Sequence, residues 1–468
     1  MSTDVGDAIE RDYGAKVVAV EPGGIERIPA AERHGRPLQL AWTFSSPNLE
    51  FATLFVGVLA VQAFGLSFWP AVGAIVAGNL LGSVSQGLLA AQGPLAGVPQ
   101  MVLGRLAFGY RGNVLPAGLM TITSGFGWIA VNSVSASFAL NSLTGLAVVP
   151  CLVVVIVLEI GIAFFGHNLV QAFERYVCPL LAVIFVVGAA VVLTHFDPSA
   201  APPPGGAGGG VGGFLLAFGT VFSYAASWNP YAADYARYLP SETSKLRTGL
   251  AAGVGLFVAT TILMIAGAAS VSAAALAGVA SDNPTTAYVG VLPHALGMLT
   301  LLAITLGAAA ANVLNVYSGA LAFLSLGFTV PLRRARAVVA VAFGVIGFVT
   351  ALFALPDAAA NYQAFLLVIV YWTGPWLGVV LTDQWLRRRR LPEELLYDPS
   401  YRNRAGVVAF VVGVLASVPL FSNQELFTGV VAKAVPAVGD ITFVVGAAVS
   451  AVIYAALFSR LGHGGRST

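Results

Sequence analysis

Charge is scarce in this chain. Only 9% of its 468 residues are Asp, Glu, Lys or Arg, whereas soluble domains carry roughly a quarter, so a soluble enzyme is excluded. The three lysines, Lys16, Lys245 and Lys433, follow Ala15, Ser244 and Ala432, which leaves no Gly-Lys-Ser/Thr loop to cradle ATP phosphates. The five histidines, His34, His167, His195, His294 and His463, lack the spacing of a zinc protease helix. Cysteine is limited to Cys151 and Cys178, both inside apolar runs, where a thiol packs as a small hydrophobe rather than forming a disulfide. A net charge of +2 is too small to attract nucleic acid. The Gly-rich stretch 205–213 lacks the strand-turn-helix setting of a dinucleotide site.

What fills the chain is apolar. Hydrophobic residues make up 57% of it, and mean hydropathy is +0.84. A helical span needs about 20 apolar residues, and the long unbroken runs exclude the alternating pattern of an outer-membrane barrel. The expected fold class is therefore an all-α integral membrane protein. Breaks between runs predict twelve spans, beginning near Leu38, Ser67, Asn113, Gly145, Tyr176, Gly213, Gly249, Pro293, Ala337, Asn361, Gly406 and Gly439. With the N-terminus inside, every lysine and arginine except Lys433 falls on a cytoplasmic segment, as the positive-inside rule demands. Both termini are thus expected in the cytoplasm. Residues 1–37 mix acids and bases without a signal-peptide core, which predicts a disordered cytoplasmic tail. Residues 198–212, rich in Pro and Gly, predict a flexible external linker.

Polar and helix-breaking residues at mid-span are tolerated only where backbone lines a cavity or is buried in protein. Span one reads Trp42-Thr43-Phe44-Ser45-Ser46-Pro47-Asn48-Leu49-Glu50, and span six reads Ser223-Tyr224-Ala225-Ala226-Ser227-Trp228-Asn229-Pro230-Tyr231. Breaks five spans apart fit an inverted repeat, residues 38–197 against 213–390, with 391–468 holding a cytoplasmic loop, two more helices and a tail. A plain proline kink in each span is the simpler alternative. Half-helix ends in such a repeat offer amides and carbonyls to a substrate and a coupling ion.

Span three places Trp128 and Asn132 one turn apart on one face, suited to a flat polar heterocycle. Trp128 alone would serve equally as packing or as an interfacial anchor. Asn312 and Asn315 follow the small-residue run Gly307 to Ala311 in span eight, where interhelical hydrogen bonding competes with a cavity role. A centred acid costs about 2.5–3.5 kcal/mol on insertion scales. Glu50, beside the first break, is the candidate for an ion- or proton-linked role together with Asn48, while Glu159 reads as structural. Asp234 and Asp383 lie near Arg237 and Arg387, where ion pairing is expected.

Several motifs resemble those of the first nucleobase:cation symporter family, in its purine-cytosine permease branch. Gly97-Val98-Pro99-Gln100-Met101 through Arg105 and Phe108-Gly109-Tyr110-Arg111-Gly112 are similar to that branch's loop between spans two and three. Ser227 to Tyr235 and Asn312 to Ser318 look like its span-six and span-eight motifs. The resemblance implies a LeuT-type core of two inverted five-helix repeats plus two C-terminal helices. It implies a ring held between Trp128 and Trp228, with Asn132 reading the ring edge, Asn315 or, in the other register, Asn312 assisting, and Ser46 and Ser227 contributing. Leu314 stands where fungal relatives tend to have proline.

The leading expectation is a secondary active importer of a purine or cytosine, with no cofactor or resident metal, and with the nucleobase and the lipid bilayer as its partners. A uracil, allantoin or hydantoin permease coupled to sodium is the alternative. A membrane enzyme would need a cluster of ionisable groups at mid-membrane, where only Glu50 and Glu159 occur. A channel would need a continuous polar pore. Sodium-dependent members, as the resemblance implies, use adjacent span-eight hydroxyls about one and a half turns before the substrate asparagine. Here those positions are Ala309 and Ala310, or Leu306 and Gly307 in the other register. The expected coupling ion is therefore H+. Nothing in the residues fixes an oligomeric state.

Overall fold

The computed structural model describes residues 24–461 except 165–166, 205, 280–283, 329–331, 389 and 425–426. Side chains of 162–174 and 332–337 are also outside the description. Of the basic residues used above, Arg11, Lys16, Arg389 and Arg466 fall outside it. The long helices are α1 Leu38–Ser45, α2 Phe51–Gln62, α3 Phe68–Ala90, α4 Val114–Ile122, α5 Ile129–Thr144, α6 Val148–Phe164 and α7 His167–Thr194. They continue with α8 Gly210–Ala226, the short α9 Ala232–Ala236, α10 Lys245–Leu276, α11 His294–Leu324 and α12 Leu332–Ala354. The last are α13 Ala358–Leu386, α14 Arg404–Phe421 and α15 Thr442–Leu461.

Among the described residues nine helical stretches are long and apolar enough to cross a bilayer, and the pair 38–48 and 51–62, bent by 62°, makes a tenth. The expected twelve differs from this count at two places. Val338–Leu386 counts as one stretch of 49 residues, although the turn Leu355–Asp357 divides it into α12 and α13. Val148–Gly161 is apolar but shorter. The chain is a multi-pass, all-helical membrane protein whose outward faces carry Val, Leu and Ile, as lipid contact requires.

Contacts sort the helices into groups. α3 packs on α8 and α10, and α10 also packs on α1 and α2. Separately, α5 packs on α6, α11 and α12, and α6 on α11 and α12. α13, α14 and α15 form a third group. In span numbers the first two groups are one, two, six and seven, and three, four, eight and nine. Each maps onto itself under a shift of five, which is what two intertwined five-helix units produce. Small residues bring the backbones together. A Cβ on Gly57 would lie 1.8 Å from the Met264 carbonyl oxygen, and one on Gly267 would lie 1.9 Å from that of Leu54, so α2 and α10 cross with main chains in contact.

Two expectations for connecting segments are corrected. The tail predicted to be disordered is ordered over its described part, 24–37, and straps the loops at one end of the bundle. Ile28 is fully buried beside Tyr238, its N–H donates to the Gly97 carbonyl, and the His34 N–H donates to that of Tyr238. Arg33 reaches under the strap to the Ile28 and Pro94 carbonyls. Its guanidinium lies over Gly97, which is in the left-handed region at φ 66°, at a place where any Cβ would collide with it. Burial pushes the Arg33 pKa down. Acceptor carbonyls across the loop made this docking, a feature that polar composition alone does not reveal. The Pro/Gly stretch 198–212 is likewise pinned. The Ala207 and Gly209 N–H groups donate to the Ala63 and Phe64 carbonyls at the end of α2, a close approach that the many glycines allow.

Candidate functional site

The break in span one is built from residues that leave the helix. After α1, Ser46–Asn48 form a tight turn, Leu49 (φ −88°, ψ 67°) leaves the helical region, and Glu50 (φ −149°, ψ 173°) is extended before α2 resumes. Asn48 donates 2.7 Å back to the Phe44 carbonyl. The break in span six is milder: α8 ends at Ala226, Asn229–Tyr231 make one tight turn, and α9 continues without a sharp bend. The Trp228 indole N–H donates 3.0 Å to Asn48 Oδ1, so the two breaks are tied side chain to side chain. With both ends of its amide taken, Asn48 is a strut between them. The Ser227 hydroxyl donates 2.6 Å to the Tyr224 carbonyl and so closes the end of α8. Ser46 is fully buried and its hydroxyl has no partner.

Span three has a feature no periodicity predicts. Between α4 and α5, Thr123–Trp128 wind as a π-helix, a wide turn often found at functional sites. Gly125 and Gly127 make room for it, since a Cβ on either would strike Phe343 or Phe365. Trp128 then stands edge-on to Tyr224 at 5.5 Å, Phe365 at 5.3 Å and Tyr362 at 6.4 Å. Trp228 packs among Phe44 and Tyr231 in a separate apolar cluster. The two indoles therefore belong to different clusters.

Those groups are the three asparagines. Asn132 Nδ2 donates 2.9 Å to Asn312 Oδ1, which also accepts 3.2 Å from Asn315 Nδ2. Asn312 Nδ2 donates 3.1 Å to the Ile129 carbonyl and 3.1 Å to Ser133 Oγ. Asn315 Oδ1 accepts 2.7 Å from Tyr231 OH. All three amides are buried, and Asn132 Oδ1 has no partner. Glu159, which the sequence leaves as structural, is 1% exposed and accepts 2.8 Å from Ser133 Oγ. Glu50 is also 1% exposed and its Oε2 has no partner. It sits where α11 meets the first break: a Cβ on Gly307 would lie 2.5 Å from the Leu49 carbonyl oxygen and 3.0 Å from Glu50 Cβ. Tyr224, Tyr231, Ser133 and Glu159 were missed as site members. Only the aromatic content of the span-six motif hinted at the two tyrosines.

A cavity of about 590 Å³ opens on one side, lined by Phe51, Phe55, Val131, Tyr362, Phe365 and the turn at Leu355–Asp357. Neither indole nor any of the three asparagines lines it. Tyr362 and Phe365 stand between the cavity and Trp128, and Tyr362 OH donates 3.0 Å to the Ala52 carbonyl at the start of α2. In this conformation the amide cluster is closed off from the cavity. At the other end Asp383 pairs with Arg387 at 2.8 Å, as expected, and accepts 2.5 Å from Tyr454 OH. Asp234 accepts 2.8 Å from the Gln100 N–H.

Residues 27–446 match a family described as a permease for cytosine/purines, uracil, thiamine and allantoin. The chain is 27% identical over 468 residues to the purine-cytosine permease FCY21 of Saccharomyces cerevisiae, covering 93% of this chain and 86% of that one. It is 26% identical over 462 residues to the purine-cytosine permease fcyB of Emericella nidulans, covering 94% and 88%. Among solved structures it superposes on the nucleobase-cation-symport-1 family transporter Mhp1, closed with bromovinylhydantoin bound, at a TM-score of 0.73, 19% identity and 94% and 95% coverage. The inward-facing form of Mhp1 gives a TM-score of 0.70 at 20% identity, with 93% and 92% coverage. These likenesses carry the fold, a LeuT-type transporter fold.

Proposed function

Since the chain belongs to the permease family for cytosine/purines, uracil, thiamine and allantoin, transporters rather than enzymes, we propose that it imports a purine or cytosine by alternating access, driven by protons. The observation that carries this reading is the buried asparagine cluster, where the Asn132 Oδ1 acceptor has no protein partner, with Trp128 four residues before Asn132 and Trp228 packed on Tyr231, which donates to Asn315. A flat ring with a donor edge supplies the missing bond. Trp128 and Trp228 hold its faces, each ring pair being worth about 0.5–1.5 kcal/mol beyond burial. Asn132 and Asn315 read its edge, Asn312 orients both, Ser46 offers its unpartnered hydroxyl, and Ser227 keeps the end of α8 in place. The cavity against Tyr362 and Phe365 is the external approach, and the strapped end faces the cytoplasm with both termini, in keeping with the basic residues.

For coupling, Glu50 is a buried acid on the break itself, set against the Tyr224 hydroxyl and with Oε2 unpartnered, and an intramembrane acid exposed to alternate sides can carry a proton. Sodium wants several oxygen ligands. Here α11 meets the break backbone to backbone at Gly307, with Ala309 and Ala310 rather than hydroxyls following.

The test is uptake by proteoliposomes of adenine, hypoxanthine, cytosine, uracil and allantoin under imposed gradients at fixed membrane potential. Accumulation of a purine or cytosine is expected to follow the pH gradient. Glu50→Gln is expected to abolish accumulation while keeping binding. Uptake that follows a sodium gradient and ignores pH would overturn the proton assignment. Uptake confined to uracil or allantoin would overturn the base.

A further inference from the structure

Glu159 lies on α6, which supplies none of the residues assigned above to the ring or the proton. The hydrogen bonds leading to it run one way. Tyr231 donates to Asn315, Asn315 to Asn312, Asn312 to Ser133, and Ser133 to Glu159. The direction is anchored twice. The Ile129 carbonyl, which can only accept, takes one proton of the Asn312 amide, and Glu159 Oε2 at the end of the chain accepts from Ser133. With its nitrogen turned to these anchors, Asn312 must present Oδ1 to Asn132, and Asn132 must answer with its own nitrogen. Two oxygens of the network are left over, Glu159 Oε1 at its end and Asn132 Oδ1, the one amide acceptor of the three asparagines that is buried without a partner. A site built this way rejects a ligand that brings a second acceptor to that point.

We infer that Glu159 is a positioning residue: through Ser133 it adds to the Ile129 carbonyl in holding the Asn312 nitrogen turned away from Asn132, so that Asn132 presents an acceptor and amino-bearing rings are selected over their oxo counterparts. This rests on the nucleobase reading above. A glutamine at 159 offers Ser133 either a carbonyl or an amide N–H, which removes the direction of that anchor at nearly unchanged volume. An alanine at 133 cuts the link while leaving Glu159 in place.

The experiment is equilibrium binding to purified, monodisperse protein using two matched pairs, adenine with hypoxanthine and cytosine with uracil. Wild type is expected to favour the amino partner of each pair. Glu159→Gln and Ser133→Ala are each expected to shrink that preference roughly fivefold or more. Glu159→Asp, which keeps an acceptor, is expected to retain the preference even where absolute affinity drops. A merely structural role would weaken both partners of a pair alike. An unchanged ratio in Glu159→Gln and Ser133→Ala overturns the inference and leaves the nucleobase reading standing. Wild-type protein that binds none of the four bases overturns both.

Discussion

Replacing Gly307 by alanine tests the closeness of α11 to the first break, on which the argument against sodium depends. The added Cβ would lie 2.5 Å from the Leu49 carbonyl oxygen and 3.0 Å from Glu50 Cβ, where ordinary contact starts at 3.4 Å. The obstructing oxygen belongs to backbone in the non-helical stretch of the break, so no rotamer change relieves the clash, and α11 must shift away. Overpacking of this kind costs about 1–3 kcal/mol, against a gain of about 0.8–1.0 kcal/mol from helix propensity. Gly161→Ala on α6, whose Cβ would meet nothing within 4 Å, keeps the propensity gain alone. The Gly307 variant is therefore expected to unfold at a lower apparent temperature than the Gly161 variant, by scanning fluorimetry in one detergent, and to lose base affinity because Asn312 and Asn315 ride on the same helix. Equal unfolding temperatures and wild-type affinity would refute the direct contact.

Other expected outcomes follow from burial and pairing. Ile28→Ala removes a fully buried strap residue and should cost about 2–5 kcal/mol, whereas Arg27→Ala breaks an exposed pair with Glu393 and a long 3.4 Å hydrogen bond to the Leu95 carbonyl and should cost under about 1 kcal/mol; apparent unfolding temperatures and proteolysis of the strap separate the two. Arg105→Ala leaves the Leu396 and Ser325 carbonyls without the donors that reach them at 3.0 and 3.2 Å, about 1–3 kcal/mol for each orphaned group, read as a lower unfolding temperature. Trp228→Ala should abolish base binding in folded protein and free the Asn48 amide; unchanged affinity by titration would remove Trp228 from the site. Asn132→Ala should lose about 1–3 kcal/mol of binding, measured by the same titration.

The helical spans were legible because lipid forbids charge, so nearly every basic residue marks a boundary. The breaks were legible because Ser, Asn and Pro cluster at mid-span at matching places five spans apart. Partnerships were not. Glu159 read as a structural acid with no partner to name, and its burial against Ser133 is a pairing between two helices that no spacing within one helix encodes. Ser227 and Asn48 have the residue types of ligand contacts but spend their donors on nearby carbonyls, as such side chains readily do. The strap and the pinned linker escaped because polar and glycine-rich composition says nothing about which carbonyls wait across a loop.

The π-turn before Trp128 makes span three sensitive to length in a way the other helices are not. An α-helix advances 100° per residue, and a π-turn holds one residue more than an α-turn does. Through that surplus residue the lipid-facing Ile122 and the inward Trp128 and Asn132 coexist on one rod. Deleting Gly125 or Gly127 would restore a regular winding and swing one half of the rod by about a quarter turn against the other. Trp128 and Asn132, both after the deletion, would swing together off their inward face, or Ile122 before it would turn inward. Along this stretch a frame of six residues, rather than any single side chain, is what an insertion or deletion cannot alter without cost.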